Sequence, residues 1–232
     1  HILCLAFFLA SGGEIRAEDL ESPSRSRVLI ELFRDGEGTS RGTLFDAEGA
    51  VVSVFSVGYG REGWLEQGSR FRGGFSLLGT FRINAILAPD RFEMAPELME
   101  RSGRDEEYLR KNLFRNMDSI DFDADGEGGE YGEGFFSLDP VSEEENQAGQ
   151  AGRVEQPFAF GRYKGVFRLY SFAIHGTQDE ARVGRASTGG CVNVGREALS
   201  VLLNRLRLGD AVEIVCADER GSRRGADRRE DS

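Results

Sequence analysis

The feature that most limits the fold is a series of glycine-punctuated β-branched and aromatic runs in the first third of the chain. RVLIELF (27–33) closes on the turn-forming DGEG. RGTLFDAEGAVVSVFSVGYG (41–60), REGWLEQGSRFRGG (61–74) and SLLGTFRINAIL (76–87) follow, with glycines at hairpin spacing. Apolar side chains that alternate between two faces, broken where glycine frees the backbone to turn, predict antiparallel strands. Up to residue 88 the pattern is all β.

The character changes at about residue 89. In APDRFEMAPELMERSGRDEEYLRKNLFRNMD (88–118), Pro96 suits a first helical turn, and Leu98, Met99, Leu109, Leu113 and Phe114 recur at helical spacing that breaks near Gly103. One or two short helices are expected. DSIDFDADGEGGEYGEGFFSLDPVSEEENQAGQAG (118–152) is acidic and glycine-rich and reads as a loop, so 89–156 together form a partly helical insertion. Such an insertion can serve as a lid over substrate or as plain surface elaboration. Strand character returns in PFAFGRYKGVFRLYSFAIHGT (157–177). In GREALSVLLNRLRLGD (195–210), Leu199, Leu202, Leu203 and Leu206 share one helical face, with Gly209 at a C-cap position. AVEIVC (211–216) is a final strand, and 217–232 is a charged tail expected to be disordered.

The 232 residues show no internal repeat and suit one domain over 27–216. HILCLAFFLASGG opens the chain as a short apolar run followed by small residues, so 1–17 reads as a secretory signal peptide without its charged start, and 18–26 as a linker. A buried N-terminal strand or helix is the alternative. The run is too short to span a bilayer, so the mature protein is expected to be exported, to periplasm or cell wall, with no membrane span. A net charge of −11 argues against nucleic acid, which needs clustered Lys and Arg. Beyond the leader two cysteines remain, Cys191 and Cys216. In an oxidising compartment they could pair, and a disulfide would remove Cys191 as a nucleophile.

The chemistry concentrates in HGTQDEARVGRASTGGCVNV (175–194), which holds the only histidine besides His1. A thiol attacks a carbonyl as thiolate, and a neighbouring imidazole is the usual way to generate it. The turn Thr188-Gly189-Gly190-Cys191 has no bulky side chains to obstruct backbone N–H donors for an oxyanion. A helix starting soon after Cys191 could add a favourable field if its N-terminus points there. A buried cysteine in a glycine turn beside a core histidine is the plainer reading. Asp121, Asp123 and Asp125 match the first half of a calcium loop, but the twelfth position falls on Gly132, so a solvated acidic loop is the better reading. No cofactor is called for.

Ile174-His175-Gly176-Thr177, then Thr188-Gly189-Gly190-Cys191-Val192-Asn193 after a short gap, resembles the catalytic signature of the L,D-transpeptidase domain (YkuD-like). LLGTFRI (77–83) resembles the strand motif upstream of it, and GDAVEIV resembles the family's ending. The sequence departs from the common pattern at Gly189, where many members carry a second histidine. It departs again at Asn193, where many carry arginine, and at Leu77 or Leu78, which stands in place of a proline. The resemblance implies a mostly β fold of two packed mixed sheets, with a helix after the cysteine. It further implies an envelope enzyme whose partners are peptidoglycan stem peptides. Cys191 would be the nucleophile and His175 its base, with the N–H groups of Gly190 and Cys191 holding the oxyanion. Thr188 would shape the turn, and the carbonyl of Gly176 or a neighbour would orient the imidazole. Carbapenems would be expected to inhibit. Transfer of the acyl group to water instead of an amine would make the protein an L,D-carboxypeptidase. Loss of the chemistry would leave a peptidoglycan-binding protein.

Overall fold

The computed structural model describes residues 25–34, 38–122, 126, 128–141, 158–159 and 165–217. The leader, most of the linker, Asp123, Asp125, part of the insertion and all but the first residue of the tail lie outside the described residues.

Strands β1 (Arg27–Leu32), β2 (Arg41–Phe45) and β3 (Val51–Gly60) follow the expected runs. The DAEG turn joins β2 to β3, and Asp46 closes it by accepting from the N–H groups of Glu48 and Ala50 through Oδ1. The short β4 (Trp64–Leu65) and β5 (Ser76–Leu77) pair in parallel, and then come β6 (Gly79–Leu87) and β7 (Phe92–Met94). Helices α1 (Pro96–Ser102) and α2 (Glu106–Asp118) are separated at Gly103, and Asp105 caps α2 by accepting from the Tyr108 N–H at 2.7 Å. The remaining elements are β8 (Phe135–Pro140), β9 (Phe158–Ala159), β10 (Arg168–Leu169), β11 (Ala173–His175), β12 (Ala186–Thr188), β13 (Val192–Val194), α3 (Arg196–Arg205) and β14 (Ala211–Cys216).

Ten strands form one hydrogen-bonded sheet, in the order β12-β3-β13-β11-β8-β6-β14-β1-β2, with β7 on β6. The long β3 pairs with β13 through its C-terminal half and with β2 through its N-terminal half, so the sheet closes on itself. The expectation of two separate packed sheets is therefore corrected to one closed, mixed sheet. Closure removes the exposed strand edges that an open sheet would leave. β1–β14, β11–β13 and β12–β3 are parallel, and the other pairs in the sheet are antiparallel.

Two apolar clusters lie on opposite faces of this sheet. Val28, Ile30 and Leu32, Phe55 and Val57, Ile174, Val192 and Val194, and Val212 and Ile214 fill the first, together with Leu199 and Leu202 of α3. Leu98 of α1 and Leu109, Leu113 and Met117 of α2 fill the second, against Ala85, Leu87, Phe135 and Ala173. A bulge in β6 allows both. Ile83 aligns with Leu138 but Ala85 with Ser137, so Asn84 is an extra residue that switches the strand's parity. Ile83 and Ile86 face the first cluster, while Ala85 and Leu87 face the helices.

Two further expectations change. FFSLDP, read as part of an acidic loop, is β8, a central strand between β6 and β11, so residues 89–156 are not a single insertion outside the sheet. Gly209 does not cap α3, which ends at Arg205 with Leu206 as cap residue. Arg91 satisfies carbonyls there, donating to Leu203 O and Leu206 O, while the Gly209 N–H returns to Ile83 O at 2.8 Å.

Candidate active site

β11 and β13 lie side by side in parallel, with Ile174 opposite Val192 and His175 opposite Asn193. Side chains alternate along a strand, so Ile174, Val192 and Val194 go to the first cluster and Ala173, His175, Cys191 and Asn193 to the other face. Fifteen intervening residues thus return the thiol to the same sheet face as the imidazole, on a neighbouring strand. Both side chains line one cavity of about 360 Å³. Cys216 belongs to the first cluster, on the opposite face, and both cysteines are free thiols. The disulfide alternative is removed.

His175 is 9% exposed. The Tyr131 ring meets it edge-on, with centroids 4.9 Å apart, and Phe135 stacks at 6.4 Å. Burial among these rings, with the Arg182 charge adding to it, lowers the imidazole pKa to about 4, against the pull of the Gly176 carbonyl. The ring is neutral at physiological pH. Its Nδ1 lies 2.6 Å from Gly176 O, and because a carbonyl only accepts, Nδ1 carries the proton and Nε2 keeps its lone pair. Gly176 cannot carry a side chain. A Cβ there would stand 2.7 Å from Leu199 Cδ2 and 2.9 Å from Tyr131 O.

Cys191 packs against the second cluster, and its Sγ is 3.8 Å from Ser171 O. Burial pushes its thiol up to about 11, opposed by the backbone at Ala173 and by the positive charge of Arg168. The resting pair is therefore thiol and neutral imidazole. Such a pair can react when the imidazole removes the thiol proton as a carbonyl arrives, without a standing thiolate.

The turn before Cys191 is fixed by its carbonyls. Arg61 N–H donates to Thr188 O at 3.0 Å, Gly74 N–H to Gly189 O at 2.7 Å, and Ser76 Oγ to Gly190 O at 2.8 Å. The Thr188 hydroxyl donates to Cys191 O and accepts from the Gly190 N–H at 3.1 Å. The Gly190 N–H, expected as an oxyanion donor, is thus engaged by the Thr188 hydroxyl here. The Gly190 carbonyl is held by Ser76, and across a trans peptide plane the Cys191 N–H points the opposite way. Gly190 has φ +131°, and a Cβ on it would approach Phe75 O to 2.8 Å. At Gly189 a Cβ would meet nothing within 4 Å, so that position has room for a side chain. At the N-terminus of α3 the first N–H, on Arg196, donates to Glu180 Oε1 at 2.8 Å.

Several lining residues escaped the sequence reading. Phe122, Glu130 and Tyr131 reach the cavity from the segment between α2 and β8, so the insertion supplies a wall of the site. Glu130 pairs with Arg182 at 3.0 Å. Arg61, Arg168 and Arg182 also line the cavity, against the single carboxylate of Glu130 among the described residues. Arg168 had a signal, a lone cation inside the aromatic run VFRLYSF. Asn193 is 2% exposed and packs on Gly58, whose missing Cβ would lie against Asn193 Oδ1. Asp121 lies apart from the cavity's lining, and its Oδ2 accepts from Gly126 N–H at 3.0 Å. No group of three or more metal-ligating side chains occurs among the described residues, and no described helix is long and apolar enough to cross a membrane.

A closed, mostly β domain with a thiol and an imidazole on one sheet face, above a glycine turn, has the parts of a thiol-dependent acyl-transfer site. The chain belongs to the L,D-transpeptidase catalytic domain family, YkuD, whose family model matches residues 27–214. Among solved structures it is similar to the L,D-transpeptidase from Xylanimonas cellulosilytica (12% identity, TM-score 0.36, covering 84% of this chain and 62% of that one). It is also similar to Bd1075 from Bdellovibrio bacteriovorus (16% identity, TM-score 0.42, 89% of this chain and 55% of that one). A third is the LD transpeptidase LdtMt1 in complex with imipenem (10% identity, TM-score 0.35, 82% of this chain and 58% of that one). The chain thus spans between 55% and 62% of the length of these three. No curated protein sequence matches it.

Proposed function

We propose that this protein is an exported peptidoglycan L,D-transpeptidase in which Cys191 is the nucleophile and His175 the general base. The observation that carries this reading is the shared cavity of a half-buried thiol and a neutral imidazole of fixed tautomer, in a chain of this family. A stem peptide binds with the carbonyl before its terminal D-amino acid at Sγ. His175 Nε2 takes the thiol proton as the C–S bond forms, and the Cys191 N–H donates to the developing oxyanion. The imidazolium then gives its proton to the departing nitrogen, the C–N bond breaks, and the free D-amino acid leaves behind a thioester on Cys191. An amine of a second stem peptide attacks the thioester and passes its proton to His175. The new amide forms and the thiol is regenerated. Export fits this chemistry, since peptidoglycan lies outside the cytoplasm. A carbapenem would acylate the same sulfur.

The test uses the full chain with a tetrapeptide stem donor and an amine-bearing stem acceptor, followed by chromatography. Release of the terminal D-amino acid together with a cross-linked peptide supports the transferase. Release with only the tripeptide acid makes the protein an L,D-carboxypeptidase. No release from either mixture refutes an acyl-transfer role.

A further inference from the structure

Arg168 is only 8% exposed, although arginine is rarely buried, and it lines the cavity that holds Cys191. It opens β10 between two apolar neighbours, Phe167 just before the strand and Leu169 on it, which are 3% and 1% exposed. Two aromatic rings hold the guanidinium, with its carbon 4.8 Å from the Tyr170 centroid and 5.8 Å from that of Phe122. Tyr170 and Phe122 line the same cavity. The side chain is therefore fixed, partly desolvated and directed to the cavity, which gives a planar cation most of its value as a binder of carboxylate. Its charge is also felt at the Cys191 thiol. Three arginines and one glutamate line the cavity of a chain whose net charge is −11, so the local field is the reverse of the global one.

The donor's chemistry supplies the partner. In a peptide cleaved before its last residue, only the amide nitrogen and one Cα separate the scissile carbonyl carbon from the terminal carboxylate carbon. The two carbons lie within roughly 4 Å of each other. Whatever holds that carboxylate must stand beside the nucleophile.

We infer that Arg168 is the specificity-determining residue that binds the terminal carboxylate of the donor peptide and so sets the scissile carbonyl at Cys191. This rests on the donor chemistry proposed above. It also supplies from β10 a cation that position 193, an asparagine here, does not carry. Arg168 discriminates a donor ending in a free carboxylate from the same peptide ending in an amide, because only the carboxylate can form the charge-assisted pair.

Binding separates this inference from the chemistry. In the full chain carrying Cys191→Ala, calorimetry with a tetrapeptide stem as free acid and as C-terminal amide is expected to show the acid binding about 10- to 100-fold tighter. Adding Arg168→Met abolishes the preference, and Arg168→Lys, which keeps the charge but not the planar fork, restores only part of it, which a loss of fold alone would not produce. Equal affinity for acid and amide in the Arg168 protein overturns the inference, as does no measurable binding of either. A preference that survives Arg168→Met in a protein of unchanged circular dichroism also overturns it. Failure of the acyl-transfer reading would appear separately, as absent product release from the unsubstituted chain.

Discussion

At the residue scale, burial decides the protonation of the pair. The His175 pKa stands at about 4 in the folded protein and near 6.5 when unfolded. Below 6.5 the unfolded chain binds a proton that the native state refuses, so stability falls as pH drops and levels off once His175 itself protonates near 4. The loss across that window is about 3 kcal/mol. Urea unfolding at successive pH values measures it, and His175→Gln is expected to remove this part of the slope. The neighbouring glycines make opposite predictions. Gly190→Ala must hold a side chain at φ +131° against the Phe75 carbonyl and is expected to cost about 1–3 kcal/mol. Gly189→Ala meets open space and is expected to stay within about 0.5 kcal/mol of the parent. Denaturation midpoints of the two variants decide. The departure at Gly189 was legible in the sequence. That its Cβ direction is open, while that of Gly190 is closed by Phe75, depends on a segment more than a hundred residues away.

At the scale of elements, the segment between α2 and β8 governs the environment of the imidazole. Tyr131 meets the ring edge-on, and the chief cause of the lowered pKa is burial. Tyr131→Ala admits water and is expected to raise the His175 pKa from about 4 toward the ordinary 6.5. A base must be unprotonated to act, so the acid limb of Cys191 acylation should move up in pH by a comparable amount. An unmoved limb would mean that the Tyr131 ring does not desolvate His175. Helices α1 and α2 were readable from leucine spacing and Gly103, because a helix declares itself locally. β8 was not, because FFSL is a short apolar run among glycines and carboxylates. Its partners β6 and β11 lie far along the chain in either direction.

At the scale of the whole molecule, alternation in RVLIEL, GTFRINAIL and AVEIVC revealed which residues face a core. It could not reveal closure, because the pairing of β2 and β13 on two halves of β3 leaves no local mark. The same holds for the site. His175 and Cys191 stood out by residue type and by family resemblance. Arg168, Tyr131 and Glu130 come together only when the ring of strands is complete. Closure also places the two thiols on opposite faces of the sheet, Cys216 in the first cluster and Cys191 against the second. The protein is therefore expected to melt at the same temperature with and without reductant, and Cys191 and Cys216 are each expected to take one equivalent of a thiol reagent once unfolded, as mapped by proteolysis. A drop in Tm with reductant would mean that a disulfide forms after all.

The central claim, that Cys191 becomes acylated, is tested most directly by intact-protein mass spectrometry of the full chain incubated with a tetrapeptide stem, with the adduct mapped by proteolysis. The expected result is a single mass increase equal to the tetrapeptide less its terminal D-amino acid, located at Cys191 and absent in Cys191→Ala. An adduct of that mass that persists in Cys191→Ala, or maps to another residue, would contradict the account.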